Sequence, residues 1–289
     1  MRVVITGARA LLGSAIAREF AGDEVVALDH ARLDVADSGA VGSIISAERP
    51  QLVVNCAAYN DVDRAEDDPA LALRTNAFAV LGLSRAARAA GATLVHFSSD
   101  FVFDGETDRP YREDDRANPN GVYGASKLLG DWFALENDRA YVLRVESLFG
   151  PPAADGGRRG SLGTIVDRIK RGEDVPVFTD RVVSPSYTPD IARAIRALVE
   201  GRAAAGLYHC VNSGHATWAE IAQRAASSIG VPLRMCPLTL ETARLRARRP
   251  RYCALSNAKL AAAGIPMRPW AEALDEFLRD PAQGTRRTS

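Results

Sequence analysis

A β-branched run, Arg2-Val3-Val4-Ile5-Thr6, stops at Gly7, and helical periodicity begins at Leu11 and runs to Phe20. This strand, tight turn and helix restrict the fold more than any other stretch of the chain. A second apolar run, Glu24 to Leu28, ends at Asp29. The chain therefore opens as the first βαβ unit of a dinucleotide-binding fold, with Thr6-Gly7-Ala8-Arg9-Ala10-Leu11-Leu12-Gly13 as its turn. Gly7 permits the sharp turn, and Gly13 lets the helix pack against the strand, so the helix N-terminus is free to receive a pyrophosphate. Ala10 stands where the Gly-x-x-Gly-x-x-Gly version has its middle glycine and puts a methyl where backbone approaches phosphate. Asp29 lies 22 residues beyond Gly7, where a carboxylate bonds the adenosine ribose hydroxyls and favours NAD. Arg9 and Arg32 argue for NADP, since either guanidinium can pair with a 2′-phosphate; the alternative is that both are solvated surface charges.

A second constellation lies between Phe97 and Lys127. The apolar run Thr93 to Phe97 reads as a buried strand ending in the hydroxyls of Ser98 and Ser99. Tyr123 and Lys127 follow, four residues apart where a helix begins, which places phenol and ammonium on one helical face. A free phenol titrates near pH ~10, so a nearby cation is needed to favour its anion near neutrality. Lys127 is placed to be that cation. The 36 basic residues include 3 Lys, so a lysine here departs from the chain's usual choice of arginine. The competing reading of the pair is an ordinary helix start with a surface lysine.

The rest of the chain continues the alternation. A helix is expected from Ser38 to Glu48, then a strand Leu52 to Asn55 closing on Cys56-Ala57-Ala58. Those small residues either leave room for a flat adenine or ribose or fit a tight turn. Asp61 to Glu66 leads into one long helix ending near Gly91, whose Asn76 either bonds a strand end or is a satisfied core amide. The helix after Lys127 runs to about Asn137, and Ala140 to Val145 is another buried strand. Pro151 to Gly160, rich in Pro, Gly and Arg, reads as a mobile loop at a domain junction. Next come a helix from Leu162 to Arg171 and a strand from Val175 to Phe178. Thr188 is placed to cap a helix with Pro189 in its first turn, followed by a strand over Gly206 to Val211 and a helix from Thr217 to Ser228. Glu241 to Arg251 holds five arginines, read as a solvated helix face or a diphosphate clamp, and Asp280 to Ser289 as a frayed end.

The fold class is thus α/β: a Rossmann-type doubly wound parallel sheet over 1-150 with return segments near 184-212, and a smaller α+β C-terminal substrate domain from 151-183 and 213-289. Zero formal net charge gives no support for nucleic-acid or membrane-surface binding. The four cysteines lack metal-site spacing and read as reduced thiols. With no export signal and no apolar run long enough to span a bilayer, a cytoplasmic enzyme is expected.

These motifs, with Asn55-Cys-Ala-Ala-Tyr-Asn-Asp-Val-Asp-Arg-Ala-Glu66, Ser98-Ser-Asp-Phe-Val-Phe-Asp-Gly105, Ser184-Pro-Ser-Tyr-Thr-Pro-Asp190, Gly206-Leu-Tyr-His209 and Arg249-Pro250, resemble the extended short-chain dehydrogenase/reductase superfamily. Within it the chain resembles the dTDP-4-dehydrorhamnose reductase family, over nearly its whole length. The resemblance implies NADPH or NADH as cofactor and a nucleotide-linked 4-keto-6-deoxy sugar as substrate, reduced by a monomer or homodimer. It implies Tyr123 as catalytic acid, Lys127 as its pKa partner and a ligand of the nicotinamide ribose, and Ser99 as the hydroxyl holding the substrate carbonyl. To the cofactor set of Gly7, Arg9, Ala10, Asp29, Arg32, Cys56, Ala57, Ala58 and Asn76 it adds Leu11, Leu12, Asp34, Val35, Tyr59, Tyr123 and Lys127. Ser99, Asp100, Phe101, Tyr123 and Ser147 are implied to meet the substrate. Ser147 stands where the family has a Trp packing on the sugar, and Phe101 where it has a Tyr. Ala15 stands where some relatives have a Glu binding Mg, so no metal is expected. Two rivals remain: an epimerase or dehydratase of the same superfamily, though Phe101 replaces the dehydratase's second acid, and a non-catalytic NADP-binding subunit like that of methionine adenosyltransferase.

Overall fold

Apolar residues alternate by face along each strand of the opening half, and this sets the layers. The computed structural model describes residues 1–152, 160–201 and 203–280. The first half comprises β1 (Arg2–Thr6), α1 (Leu11–Glu19), β2 (Glu24–Leu28), α2 (Ser38–Glu48), β3 (Leu52–Asn55), α3 (Val62–Asp67), α4 (Pro69–Leu73), α5 (Ala79–Ala89), β4 (Thr93–Ser99), α6 (Val122–Ala134) and β5 (Ala140–Val145). The second half adds β6 (Leu148–Phe149), α7 (Gly160–Lys170), β7 (Val175–Phe178), β8 (Val182–Val183), β9 (Ser186–Tyr187), α8 (Thr188–Glu200) and β10 (Gly206–His209). It ends with β11 (Ala216–Thr217), α9 (Trp218–Ile229), β12 (Met235–Leu238), α10 (Ala258–Ala262) and α11 (Trp270–Arg279).

Six parallel strands run in the order β10-β5-β4-β3-β1-β2. Val3, Ile5, Leu52, Val54, Val95 and Leu143 share one core with α1 and α8, while Val4, Val53, Leu94 and Val142 share another with α2 and α5. Burial on both faces is what an all-parallel sheet requires. The chain goes outward from β1 to β2 and then back across to β3, so the strand order reverses at the β1/β3 boundary. Ligands of open α/β sheets bind at the carboxyl edge of such a boundary.

A third core gathers Phe149, Leu162, Val166, Trp218, Ile221 and Phe277 around α7, α9 and α11. Its strands pair two by two, β7 with β12, β8 with β11 and β6 with β9. Leu260 and Met267, late in the chain, pack back into the first core.

Three expectations are corrected. The segment read as one long helix to Gly91 is broken: Asp68 accepts from Leu71 N at 3.0 Å and caps α4 with Pro69 in its first turn, and a π-turn spans Arg74–Phe78 before α5. Thr188 is the first residue of α8 rather than its cap, Tyr187 holding the cap position without a side-chain bond. Glu241 to Arg251 forms turns rather than a helix, and Arg244 takes a positive φ of 46°. The loop expected at 151–160 falls mostly on residues 153–159, and the frayed end on 281–289, both outside the described residues. Among the described residues no helix is long and apolar enough to cross a membrane.

Candidate active site

The β1–α1 turn is tight enough to demand its glycines. Gly7 has φ +63°, and a Cβ there would lie 2.7 Å from Ala57 N; a Cβ on Gly13 would lie 2.4 Å from Gly7 O. Ala10 caps α1 without a side-chain bond, so the first-turn amides of Leu11 and Leu12 carry no side-chain cap. Asn55 ties the neighbouring strand ends together. Its Oδ1 accepts from Thr6 Oγ1 at 2.7 Å and from Ala57 N at 3.2 Å, and its Nδ2 meets His96 Nδ1 at 3.2 Å. Burial and the Lys127 charge lower the His96 pKa, so the ring is neutral. Sequence reasoning missed Asn55 as a site residue, although its place at the end of a strand in the opening motif was a usable signal.

Above these strand ends lies a cavity of about 760 Å³, closed on one side by Gly160, Ser161 and Thr164 of α7. Ala10, Leu11, Leu12, Cys56, Ala57 and Ala58 line it, as do Ser99, Asp100, Phe101, Tyr123, Lys127 and Ser147. The other candidates stand apart. Asp29 is held by Arg9 Nε at 3.1 Å and by the Arg32 N–H at 3.1 Å, while the Arg32 guanidinium donates to Ala27 O at 2.7 Å. Asp34 accepts from Ala36 N, and Val35 is a core residue. Asn76, placed by the π-turn, clamps Tyr59: its Oδ1 accepts the Tyr59 N–H at 2.8 Å, and its Nδ2 donates to Tyr59 O and to Ser126 Oγ, both at 3.0 Å. With every polar atom of its side chain engaged and 1% exposed, Asn76 positions the segment after β3 and does not face the cavity.

Ser99, Tyr123 and Lys127 converge on the cavity wall because β4 ends where α6 begins to pack on it. Gly124 permits that approach, since a Cβ there would meet Phe101 O at 2.1 Å. Ser99 Oγ lies 2.8 Å from Asp100 Oδ1 and accepts the Phe101 N–H at 3.2 Å. The Tyr123 hydroxyl donates to Asn60 Oδ1 at 3.4 Å, and its ring sits edge-on to Phe101 with centroids 5.4 Å apart. Lys127 Nζ donates to Phe97 O at 2.5 Å, backed by the buried Arg144–Asp131 ion pair at 3.2 Å. The expected depression of the phenol pKa by Lys127 is not what this arrangement does. Burial, with the Asp100 charge, raises the Tyr123 pKa against the Ser99 hydrogen bond, and Lys127 is turned to a carbonyl. The phenol therefore keeps its proton in this arrangement and is a weaker acid than a free phenol.

A second cavity of about 950 Å³ lies beside the first, with Asp104 and Asp108 on one side and Arg244, Arg248 and Arg251 on the other. A narrow void lined by Phe101, Tyr123, Asn120 and Arg248 separates the two. Arg249 pairs with Asp63 at 2.8 Å and Arg246 with Asp67, which pins the arginine-rich segment to α3, while Arg244, Arg248, Arg249 and Arg251 line the second cavity.

A parallel sheet with a glycine turn at its first crossover occurs in many folds, but a strand-end hydroxyl set against a Tyr and a Lys one helical turn apart narrows the class to an extended short-chain dehydrogenase/reductase. The chain belongs to the family of the RmlD substrate binding domain, whose model matches residues 1–282. It is 38% identical over 286 residues to a dTDP-4-dehydrorhamnose reductase of Streptomyces griseus, covering 95% of this chain and 92% of that one. It is 37% identical to a probable dTDP-4,6-dihydroxy-2-methyloxan-3-one 4-ketoreductase of Streptomyces antibioticus, covering 97% and 95%. Among solved structures, a dTDP-4-dehydrorhamnose reductase of Bacillus anthracis in complex with NADP matches with a TM-score of 0.89 at 30% identity, covering 96% of this chain and 98% of that one.

Proposed function

We propose that this protein transfers hydride from NADPH or NADH to the keto carbon of a nucleotide-linked 4-keto-6-deoxy sugar. The convergence of Ser99, Tyr123 and Lys127 on the cavity that also holds the β1–α1 turn carries this reading. The turn fits a dinucleotide: Gly7 lets it lie close against the Cys56–Ala57 backbone, and the first-turn amides of α1, which carry no side-chain cap, suit a pyrophosphate. A dihydronicotinamide bound there supplies the hydride. Tyr123, protonated and buried, gives its hydroxyl proton to the substrate oxygen, so negative charge does not build up unshielded. The Ser99 hydroxyl polarises the same oxygen. Lys127 Nζ, fixed by Phe97 O on the same cavity wall, is the group assigned here to the nicotinamide ribose.

Arg244, Arg248 and Arg251 are exposed around the second cavity and suit the diphosphate of a sugar nucleotide, since guanidinium forks match phosphate oxygens. Phe101, between the two cavities, then lies against the sugar. The relatives act on more than one dTDP-linked keto sugar by name, and Ser147 leaves open space where a Trp would select among them. A panel of 4-keto sugar nucleotides, each with NADH and NADPH and with product stereochemistry read by NMR, tests the proposal. Turnover of at least one is expected. Tight NADPH binding with no oxidation by any member would assign the chain to the non-catalytic binding subunits instead.

A further inference from the structure

The helix that carries Tyr123 does not cap itself. α6 begins at Val122 behind Gly121, which has no side chain to offer, and its first turn holds no acidic residue. Its first amide is served from another element: Glu66 of α3, 56 residues earlier, accepts the Val122 N–H through Oε1 at 2.8 Å. Gly121 makes this possible, because a Cβ there would lie 2.5 Å from the same Glu66 Oε1 and would push the carboxylate off the helix end. The requirement is space and not backbone freedom, since Gly121 is extended, with φ −164° and ψ 175°. A serine would suit that backbone and cap the helix by its own hydroxyl. The chain gives the cap to α3 instead.

The same stretch meets Tyr123 in two further ways. Val62 and Ala65 of α3 pack in one small core with Val122 and Tyr123. Asn60, just before α3, accepts the Tyr123 hydroxyl at 3.4 Å. α3 is in turn held in place, its own start capped by Asp61, which accepts the Arg64 N–H at 3.1 Å. On the side of the arginine-rich segment, Asp63 accepts from Ala247 N at 2.9 Å and from Arg249 at 2.8 Å. Glu66 thus stands on a fixed support.

We infer that Glu66 is a positioning residue: by holding the Val122 amide it fixes the first turn of α6 against α3, and with that turn the Tyr123 hydroxyl in the cavity. The inference rests on the reductase reading and deepens it. First-turn amides have no partner inside their own helix, so without Glu66 this end of α6 loosens, and Tyr123 is the next residue along. A carboxylate also suits the positive end of the helix. Lys127 lies one turn further in and is bonded to Phe97 O, and the β1–α1 turn is made by other residues. Loss of Glu66 should therefore disturb proton donation and spare cofactor binding.

Glu66→Ala should lower kcat about tenfold, since small displacements of a reacting group are costly, with NADPH affinity unchanged. Glu66→Gln keeps an acceptor oxygen and should recover most of that loss. Gly121→Ala displaces the carboxylate from the opposite side and should lower kcat to a similar extent; combined with Glu66→Ala it should add nothing, because both changes break one bond. Gly121→Ser in the Glu66→Ala background sets a hydroxyl at the cap, in the space the carboxylate has left, and should bring kcat back. A cap with a structural role alone would lower the melting temperature of Glu66→Ala and leave kcat at the parental value. NMR of ring-labelled tyrosines gives a readout that needs no turnover. The Tyr123 signal, assigned by its absence from Tyr123→Phe, reports a ring set edge-on to Phe101 at 5.4 Å. It should shift in Glu66→Ala and in Gly121→Ala and return in Glu66→Ala with Gly121→Ser. If no 4-keto sugar is reduced, the reductase reading fails while this signal still tests whether Glu66 places Tyr123. The inference is overturned by a parental kcat or an unmoved Tyr123 signal in Glu66→Ala, by losses that add in the variant joining Glu66→Ala to Gly121→Ala, or by a serine variant as impaired as Glu66→Ala.

Discussion

Lys127 is 3% exposed, and burial pulls its pKa down to about 8, with Asp131 opposing the shift. An unfolded lysine titrates near ~10.4, above the folded value, so the charged side chain weakens the fold. That penalty is fully present below about pH 8 and fades as pH rises toward ~10.4. Lys127→Met should therefore be more stable than the parent at pH 7, by about 1–3 kcal/mol after allowing for the lost bond to Phe97 O, while failing to reduce substrate. Urea unfolding at pH 7 and pH 10 checks this: a margin that does not shrink at the higher pH would remove the buried ammonium as its cause. Cofactor choice turns on weaker charges. Arg9 is 71% exposed, so its ion pair with Asp29 is worth at most about 1 kcal/mol, and neither residue dominates. Use of both cofactors within about tenfold is expected, with Asp29→Ala shifting the kcat/KM ratio toward NADPH and Arg9→Ala shifting it toward NADH. Unchanged ratios would remove both residues from the adenosine ribose site.

The helix α6 carries Tyr123 and Lys127, and two glycines fix how closely it lies on its neighbours. A Cβ on Gly130 would fall 2.3 Å from Asn76 O, the carbonyl that the π-turn pushes toward it. Gly130→Ala should cost about 1–3 kcal/mol by forcing α6 away from that carbonyl, and should lower kcat because Tyr123 and Lys127 move with it. A variant with parental melting and turnover would mean that α6 does not need this contact. The strand ends were legible in the sequence because each of β1, β2, β3, β4 and β5 is an apolar run bounded by a polar residue, Gly or Pro. The Tyr123 to Lys127 spacing likewise put both side chains on one cavity wall. The π-turn was not legible, because Arg-Thr-Asn-Ala-Phe has no composition that separates it from a regular helix; contact with Gly130 and Tyr59 selects it. The break at Asp68-Pro69 was marked by a capping residue before a proline, but a continuous apolar pattern on both sides obscured it. The arginines of 241–251 suggested a helix face by number alone, and their pairing with α3 decides otherwise.

At the scale of the whole molecule, formal charge is zero, yet the charges are not evenly spread. Arg246 and Arg249 are tied to Asp67 and Asp63 on the opening half, and Arg244, Arg248, Arg249 and Arg251 line one cavity. Sequence could count these arginines but not assign them, because the partners lie more than a hundred residues away. On the proposed function the two ligands are separated: Ala10, Leu11, Leu12 and Cys56 to Ala58 line the cavity at the sheet edge, and the guanidiniums line the one beyond Phe101. Arg248→Ala with Arg251→Ala should therefore raise KM for the sugar nucleotide by about ten- to a hundredfold, the loss expected from one or two charge-assisted bonds to phosphate. NADPH affinity and kcat at saturation should stay near the parental values, because Tyr123 and the β1–α1 turn are untouched. The parental KM should also rise with salt, and that dependence should weaken in the double variant as the screened charges are removed. Titration of NADPH alone, followed by KM for the keto sugar nucleotide at low and high salt, separates the outcomes. A double variant with unchanged KM, or one that loses NADPH affinity instead, would take the diphosphate out of this cavity and require the sugar nucleotide to enter from another side.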